Sequence, residues 1–234
     1  MTIDFSPLFE QYEALLKAAD AIFEKVRNEY PACVKCEEGC SDCCHALFDL
    51  TLVEALYINH HFNRTHSDRL PEKEAIIDQA NIADRQAYKI KKEAYKALES
   101  GMPEEGILAD LAKKRSRCPL LNAQDLCSLY DHRPITCRFY GIPTAIGGRG
   151  HTCGRSAFEP GEPYPTVNLD LIQRRLYQIS DELVKALKSR YVKMSEMLVP
   201  LSMALLTVYD DEYLGIHEST PEKGTDAEKG EGNE

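Results

Sequence analysis

The stretch CVKCEEGCSDCC, residues 33–44, sets five cysteines within twelve positions in the spacing C-x2-C-x3-C-x2-C-C. Two-residue gaps let a loop turn so that two sulfurs approach one ion at about 2.3 Å. Two such pairs, the second ending in the vicinal Cys43 and Cys44, form a metal-ligand array on a loop that contains Gly39. A loop of this kind cannot bury a core of its own, so the fold must come from the segments on either side, and those segments read as helices.

Upstream, Ser6 and Pro7 supply a capping residue and a first-turn proline, and Tyr12, Leu15, Leu16, Ala19, Ile22, Phe23 and Val26 recur at helical spacing until Pro31. Downstream, Thr51 opens a helix running to about Phe62 on Leu52, Ala55, Leu56 and Ile58. Pro71 and Glu72 begin a long charged helix with Ile76, Ile77, Ala80, Ala83, Ala87, Ile90, Ala94 and Leu98 on one face, ended by Gly101. A short helix from Pro103 to Lys114 follows. After Thr166 the period returns through Leu169, Ile172, Leu176, Ile179, Leu183 and Leu187 and is expected to continue as helix to Asp210. The expected class is mainly α: a single helical domain over residues 1–209, its metal-binding portion at 33–154, and a disordered acidic tail over 210–234.

The second array lies in the one long stretch that no helix claims. Between Cys118 and Gly154 stand Pro119, Pro134, Pro143, Gly141, Gly147, Gly148 and Gly150, which require mostly loop. Within it run Cys118-Pro119-Leu120-Leu121, Cys127-Ser128-Leu129-Tyr130, Arg133-Pro134, Cys137-Arg138-Phe139-Tyr140 and Cys153. These gaps are too wide for one knuckle. They suit a loop that returns several times to a common centre, with metal binding supplying the order that Gly and Pro deny it.

Compartment and charge support that reading. No signal peptide is evident at the N-terminus, and the most apolar stretch, residues 197–209, is 13 residues with Pro200 inside it, too short to span a bilayer. A soluble, cytoplasmic chain is expected, with no membrane partner, and reduced cytosolic thiols in spaced clusters point to metal rather than disulfides. The net charge of -10 is concentrated in residues 210–234, with nine acids and two lysines, while residues 113–155 carry eight Lys or Arg against Asp125 and Asp131. That basic surplus can offset a thiolate centre, hold an anionic ligand, or form a solvated face. Because thiolates would consume part of it, nucleic acid is not an expected partner.

With these residues in place, the chain resembles the YkgJ-type cysteine-cluster proteins, described as zinc- or iron-chelating domains. The resemblance covers roughly residues 33–154. It places Cys40, Cys43, Cys44, Cys118, Cys127 and Cys137 on that family's cysteines, with Arg133, Pro134 and Arg138 on its accompanying positions. The leading cysteine departs: C-x2-C-x2-C-C would put it at Glu37, where this chain offers Cys36 or Cys33 instead. Cys153 is additional.

All nine cysteines are therefore candidate metal ligands, and Arg133 and Arg138 candidate contacts to the cofactor. His45 and His151 could complete a mixed site, although exposure or capping is the simpler role for each. Thiolates serve both zinc and iron-sulfur centres. Because a lone zinc uses only four, the cysteine count favours an iron-sulfur cluster, 4Fe-4S first, with zinc as the alternative. The function implied is a metal-binding protein with a redox, sensing or cluster-supporting role. Two other classes stay open. Flagellin lysine N-methylases are similar in their cysteine cluster, which implies a cluster-dependent methyltransferase-like enzyme, but no G-x-G-x-x-G loop is found. The other is an interaction module stapled by zinc.

Overall fold

The computed structural model describes residues 5–216. Helix α2, Leu52–Thr65, lies at the centre because it is apolar on nearly every side: Leu52, Val53, Ala55, Leu56, Ile58 and Phe62 are all but sealed from solvent. Its start is set by a capping box in which the Thr51 backbone and hydroxyl both donate to the Glu54 carboxylate, at 3.0 and 2.9 Å. Around it pack α1, Ser6–Glu29, through Phe9, Tyr12 and Leu16, and α6, Leu169–Ala186, through Leu176, Ile179 and Leu183. The long helix α3, Leu70–Glu99, contributes Ile76 and Ala80, and α4, Glu104–Ala112, packs against α3. The chain is a single mainly helical domain, as its periodicity predicts.

The expected continuous helix from Thr166 to Asp210 is corrected. After α6 the backbone turns at Lys188, held at φ 52°, passes through a 3-10 segment, Val192–Glu196, and enters a strand, Leu198–Pro200. Pro200 has no N–H to continue a helix inward from its N-terminal side, and it caps a new one, α7, Leu201–Leu206. The strand pairs antiparallel with β1, Asp49–Thr51, with Leu50 opposite Val199, both buried. Numbered in chain order, that second strand is β5. Between them lie β2, Thr144–Ile146, β3, Arg149–His151, and β4, Val167–Asn168, which form a small sheet with β2 in the middle. Local periodicity could not reveal β1 or β5, since each is three residues long and exists only as the other's partner.

The expected disordered tail does not hold for its first residues. Residues 210–216 fold back onto the domain: Leu214 is fully buried, Ile216 packs against the core, and the Gly215 carbonyl accepts from the Arg190 amide at 3.0 Å. The remainder of that segment, 217–234, lies outside the described residues. Replacing Leu214 with Ala removes a sealed side chain and should cost about 2–5 kcal/mol. Thermal unfolding followed by circular dichroism checks this; a melting point unchanged by Leu214→Ala would show that residues 210–216 do not dock.

Candidate metal centre

A short backbone ladder draws the two arrays together. The Cys118 amide donates to the Cys44 carbonyl at 2.7 Å, the Ser116 amide to the His45 carbonyl at 3.0 Å, and Ala46 bridges antiparallel to Arg115. Within the second array, Leu121 and Cys127 face each other across a hairpin, and the Ser128 amide donates to the Leu120 carbonyl at 2.8 Å. Asn122 closes that turn, its side-chain oxygen accepting from the Gln124 and Leu126 amides, both at 2.9 Å. Cys118 and Cys127 are thereby set side by side.

Cys137 arrives on a third element, the short helix α5, Ile135–Phe139, whose entry is extended at Arg133 because Pro134 follows it. The buried Glu54 on α2 orders this helix from outside. Its Oε1 accepts the Ile135 amide at 3.2 Å and the Tyr12 hydroxyl at 3.4 Å, while Oε2 takes the two Thr51 donors. Burial pushes the Glu54 carboxyl up, and the hydrogen bonds oppose that rise.

The result is that Cys43, Cys44, Cys118, Cys127 and Cys137 line one cavity of about 70 Å³, walled elsewhere by Leu120, Leu129 and Ile58. All nine cysteines are free thiols. The Cys43 and Cys44 sulfurs stand 4.0 Å apart. Two thiolates on one ion, each at 2.3 Å, would stand roughly 3.8 Å apart, so this pair already has the separation that a shared ion requires. Among the described residues no three His, Cys, Asp or Glu side chains stand as a finished ligand set. Instead the thiols share protons in pairs. Hydrogen bonds from Cys137 and Cys44 hold the Cys43 thiol far below its ordinary value, and the Arg133 guanidinium lowers it further. Cys118 is lowered first by a bond from Cys44 and then by the Leu120 and Leu121 amides at its sulfur. Donating those bonds pushes Cys44 and Cys137 up, and burial pushes Cys127 up to about 11. Two sulfurs drawn toward the anionic form, with thiol donors beside them, have the chemistry of a thiolate site.

The remaining candidates lie around this cavity rather than in it. Cys36 points to the Tyr140 carbonyl, with Sγ at 3.6 Å, and fills the recess that Gly141, at φ 113°, leaves open; any Cβ there would overlap its sulfur. Cys153 donates to the Asp42 carboxylate at 3.4 Å, and Cys40 is near enough to Cys36 to raise its thiol. Cys33 is packed against the hydrophobic core, and its carbonyl accepts the Ala157 amide at 2.9 Å. His45 bonds the Ser41 carbonyl at 3.0 Å, the capping role the sequence suggested, and His151 sits exposed on β3.

The two arginines divide. Arg133 borders the cavity and stacks over the Tyr130 ring at 4.0 Å, and its charge lowers Cys43, Cys36 and Cys127. Arg138 is buried and faces away, its guanidinium bonded to Asp20 of α1 and to the carbonyls of Arg133 and Asp131. Sequence reasoning missed Asp42 and Glu54, and read Tyr140 as packing around the centre without its bond to Asp42. Only Glu54 had a local signal, the T-x-x-E capping box, and nothing in it announced the reach to α5.

A helical domain in which thiols from two arrays converge on one cavity has the character of a metal-binding protein of the cysteine-cluster kind. Residues 35–154, just over half of the chain, match the CxxCxxCC family model, titled "Putative zinc- or iron-chelating domain", and the chain belongs to that family. No curated protein and no solved structure matches it. Among the described residues no helix is long and apolar enough to cross a membrane.

Because all four acceptor positions of Glu54 serve donors, Glu54→Gln must turn an amide NH2 toward at least one of them. The expected loss is about 1–3 kcal/mol, or a melting point several degrees lower, with faster proteolytic cleavage between residues 118 and 153. Differential scanning calorimetry with limited proteolysis measures both. An unchanged melting point and cleavage pattern would remove Glu54 from the support of α5.

Proposed function

We propose that this chain is an iron-sulfur protein: four of Cys43, Cys44, Cys118, Cys127 and Cys137 hold the cluster, 4Fe-4S by preference, and its role is redox, sensing or support of a partner's chemistry. One observation carries the reading, the convergence of five thiols from two distant arrays on one cavity with apolar walls. A lone tetrahedral ion and a 4Fe-4S cluster each take four thiolates, but a cluster sets one on each iron and so draws sulfurs from around a cavity rather than onto one point. Bound there, such a centre supplies one-electron exchange. The chain's own residues do the rest. The hairpin at 118–128 and helix α5 orient the sulfurs, Leu120, Leu129 and Ile58 limit the approach of water, and Arg133 offsets negative charge. Arg138 braces the loop against α1 through Asp20, and its effect on any cofactor runs through Arg133.

A second reading is zinc. The separation of 4.0 Å between the Cys43 and Cys44 sulfurs favours it, because it fits two ligands of a single ion. Either centre would form by displacing thiol protons, so metal uptake should strengthen as pH rises.

Anaerobic purification, with iron, zinc and acid-labile sulfide measured beside the visible spectrum, separates the two. Iron and sulfide with a broad visible band are expected; zinc without sulfide supports the second reading, and metal-free protein with nine free thiols overturns both. Cys137→Ser and Cys127→Ser should each lower metal content and open the loop to protease. Cys33→Ser should do neither, since that residue packs against the core.

A further inference from the structure

His132 lines the thiol cavity beside Arg133, at the end of the 3-10 turn Tyr130–His132, and α2 holds it from behind. Its ring lies flat on that of His61, with centroids 3.6 Å apart and planes 11° from parallel. A hydrogen bond of 3.1 Å joins its Nδ1 to the Tyr57 hydroxyl. Tyr57 in turn stands edge-on to Phe9 and Tyr12 of α1, at 5.1 and 5.0 Å, so this clamp is founded on the hydrophobic core.

What the clamp holds is the segment that carries Cys137. Pro134 follows His132 by two residues and starts α5. The Arg138 guanidinium donates to the Asp131 carbonyl at 2.6 Å and to the Arg133 carbonyl at 3.0 Å, which ties the turn and α5 into one unit. A turn that left α2 would pull on Cys137 and take His132 and Arg133 out of the cavity wall.

Two imidazoles so arranged tolerate one positive charge better than two. At 3.6 Å a pair of imidazolium rings repels, and the stacked faces have no room for water. The charged and titratable groups that face the pair are His60 and Arg64 on α2, Asp131 in the turn, Glu13 on α1 and Arg138 on α5. Asp131 and Glu13 favour a proton on His132, while His60 and Arg64 join His132 in opposing one on His61. Burial first, and then His132, push His61 from its ordinary 6.5 down to about 4. Once the rings part, His61 regains water and its ordinary value, so the open form binds the proton more tightly. Acid therefore favours opening: the closed form begins to lose ground as pH falls below about 6.5, and the loss is complete below about 4.

We propose that His61 and His132 form an acid-sensitive latch on the thiol cavity: when both rings are protonated they separate, the turn Tyr130–His132 leaves α2, and the cavity opens for exchange of its metal. Near neutral pH the latch is shut and the sulfurs stay behind their apolar walls. What the latch releases rests on the reading of the cavity as a thiolate centre; the latch itself rests on the stack, the Tyr57 bond and the tie from Arg138 to the turn.

The test uses the full chain, reduced and loaded with zinc ion, near pH 7.5 and near pH 5. Two rates are followed at each pH: transfer of zinc to an excess of chelator, and cleavage between residues 118 and 153 by a protease active at both. Protonation of the thiols speeds zinc release in every form of the chain, so the ratio of wild type to variant at one pH is the readout. His61→Phe keeps a ring against His132 and accepts no proton. It should match wild type near pH 7.5, and near pH 5 wild type should be faster in both rates by roughly tenfold. His61→Leu repeats the comparison with a smaller neutral side chain. Tyr57→Phe, which loses the bond to Nδ1 and keeps the titrating pair, should be cleaved faster than wild type already near pH 7.5. Equal rates for wild type and both His61 variants near pH 5 overturn the latch, and unchanged cleavage of Tyr57→Phe removes Tyr57 from it. A chain that takes up no zinc overturns the reading of the cavity, and the ratio of cleavage rates then decides the latch alone.

Discussion

The hydrogen bond from the Cys118 amide to the Cys44 carbonyl, 2.7 Å long, is the point at which two loops far apart in sequence become one structure. With the Ser116 to His45 bond and the Ala46–Arg115 bridge it forms a ladder only a few residues long. A two-stranded ladder of this length has no stability of its own in water. It persists because helix α2 starts at Leu52, just beyond β1, and drives its apolar surface into the core, so that the first array is anchored by the most buried element of the fold.

The second array borrows order in a different way. Its segments are rich in Gly and Pro, and each cysteine is held by something else: Cys118 and Cys127 by a hairpin closed on Asn122, Cys137 by a one-turn helix fastened to Glu54. Buried polar groups bind this region to the core beside the apolar anchors Leu120, Leu129, Ile135, Phe139 and Ile142. Arg138 joins it to α1 through Asp20, and Glu54 joins α5, α1 and β1 through Ile135, Tyr12 and Thr51. Such groups are costly to bury alone and become inexpensive only as a complete set, which makes the loop cooperative with the core.

The electrostatics of the cavity follow from that geometry. Five sulfurs held close cannot all be anions without a cation, so protons are shared unevenly, with Cys43 and Cys118 drawn toward the thiolate form by the thiols beside them. Arg133 supplies one positive charge at the rim, and three other arginines of the basic surplus over residues 113–155 are spent on structure. Arg115 holds Asp42, Arg138 holds Asp20, and Arg117 bonds the Leu121 and Asn122 carbonyls. A charge count along the chain could see that surplus and could not see its distribution.

The amino-acid sequence alone determined the helical class, the positions of α1, α2, α3 and α6, and the two cysteine arrays as candidate metal-ligand material. These depend on short-range spacing: a period of 3.6 for a buried helix face, and gaps of two or three residues for a chelating turn. It could not determine which sulfurs meet. Cys43 faces Cys137 across 93 intervening residues, and Cys153 meets Asp42 across more than a hundred, pairings that no spacing rule connects. The break of the C-terminal helix at Lys188 and the burial of Leu214 were equally beyond it. Both depend on β1 being present to pair with β5 and on a core surface being there to cover, and those are properties of the assembled fold rather than of any segment.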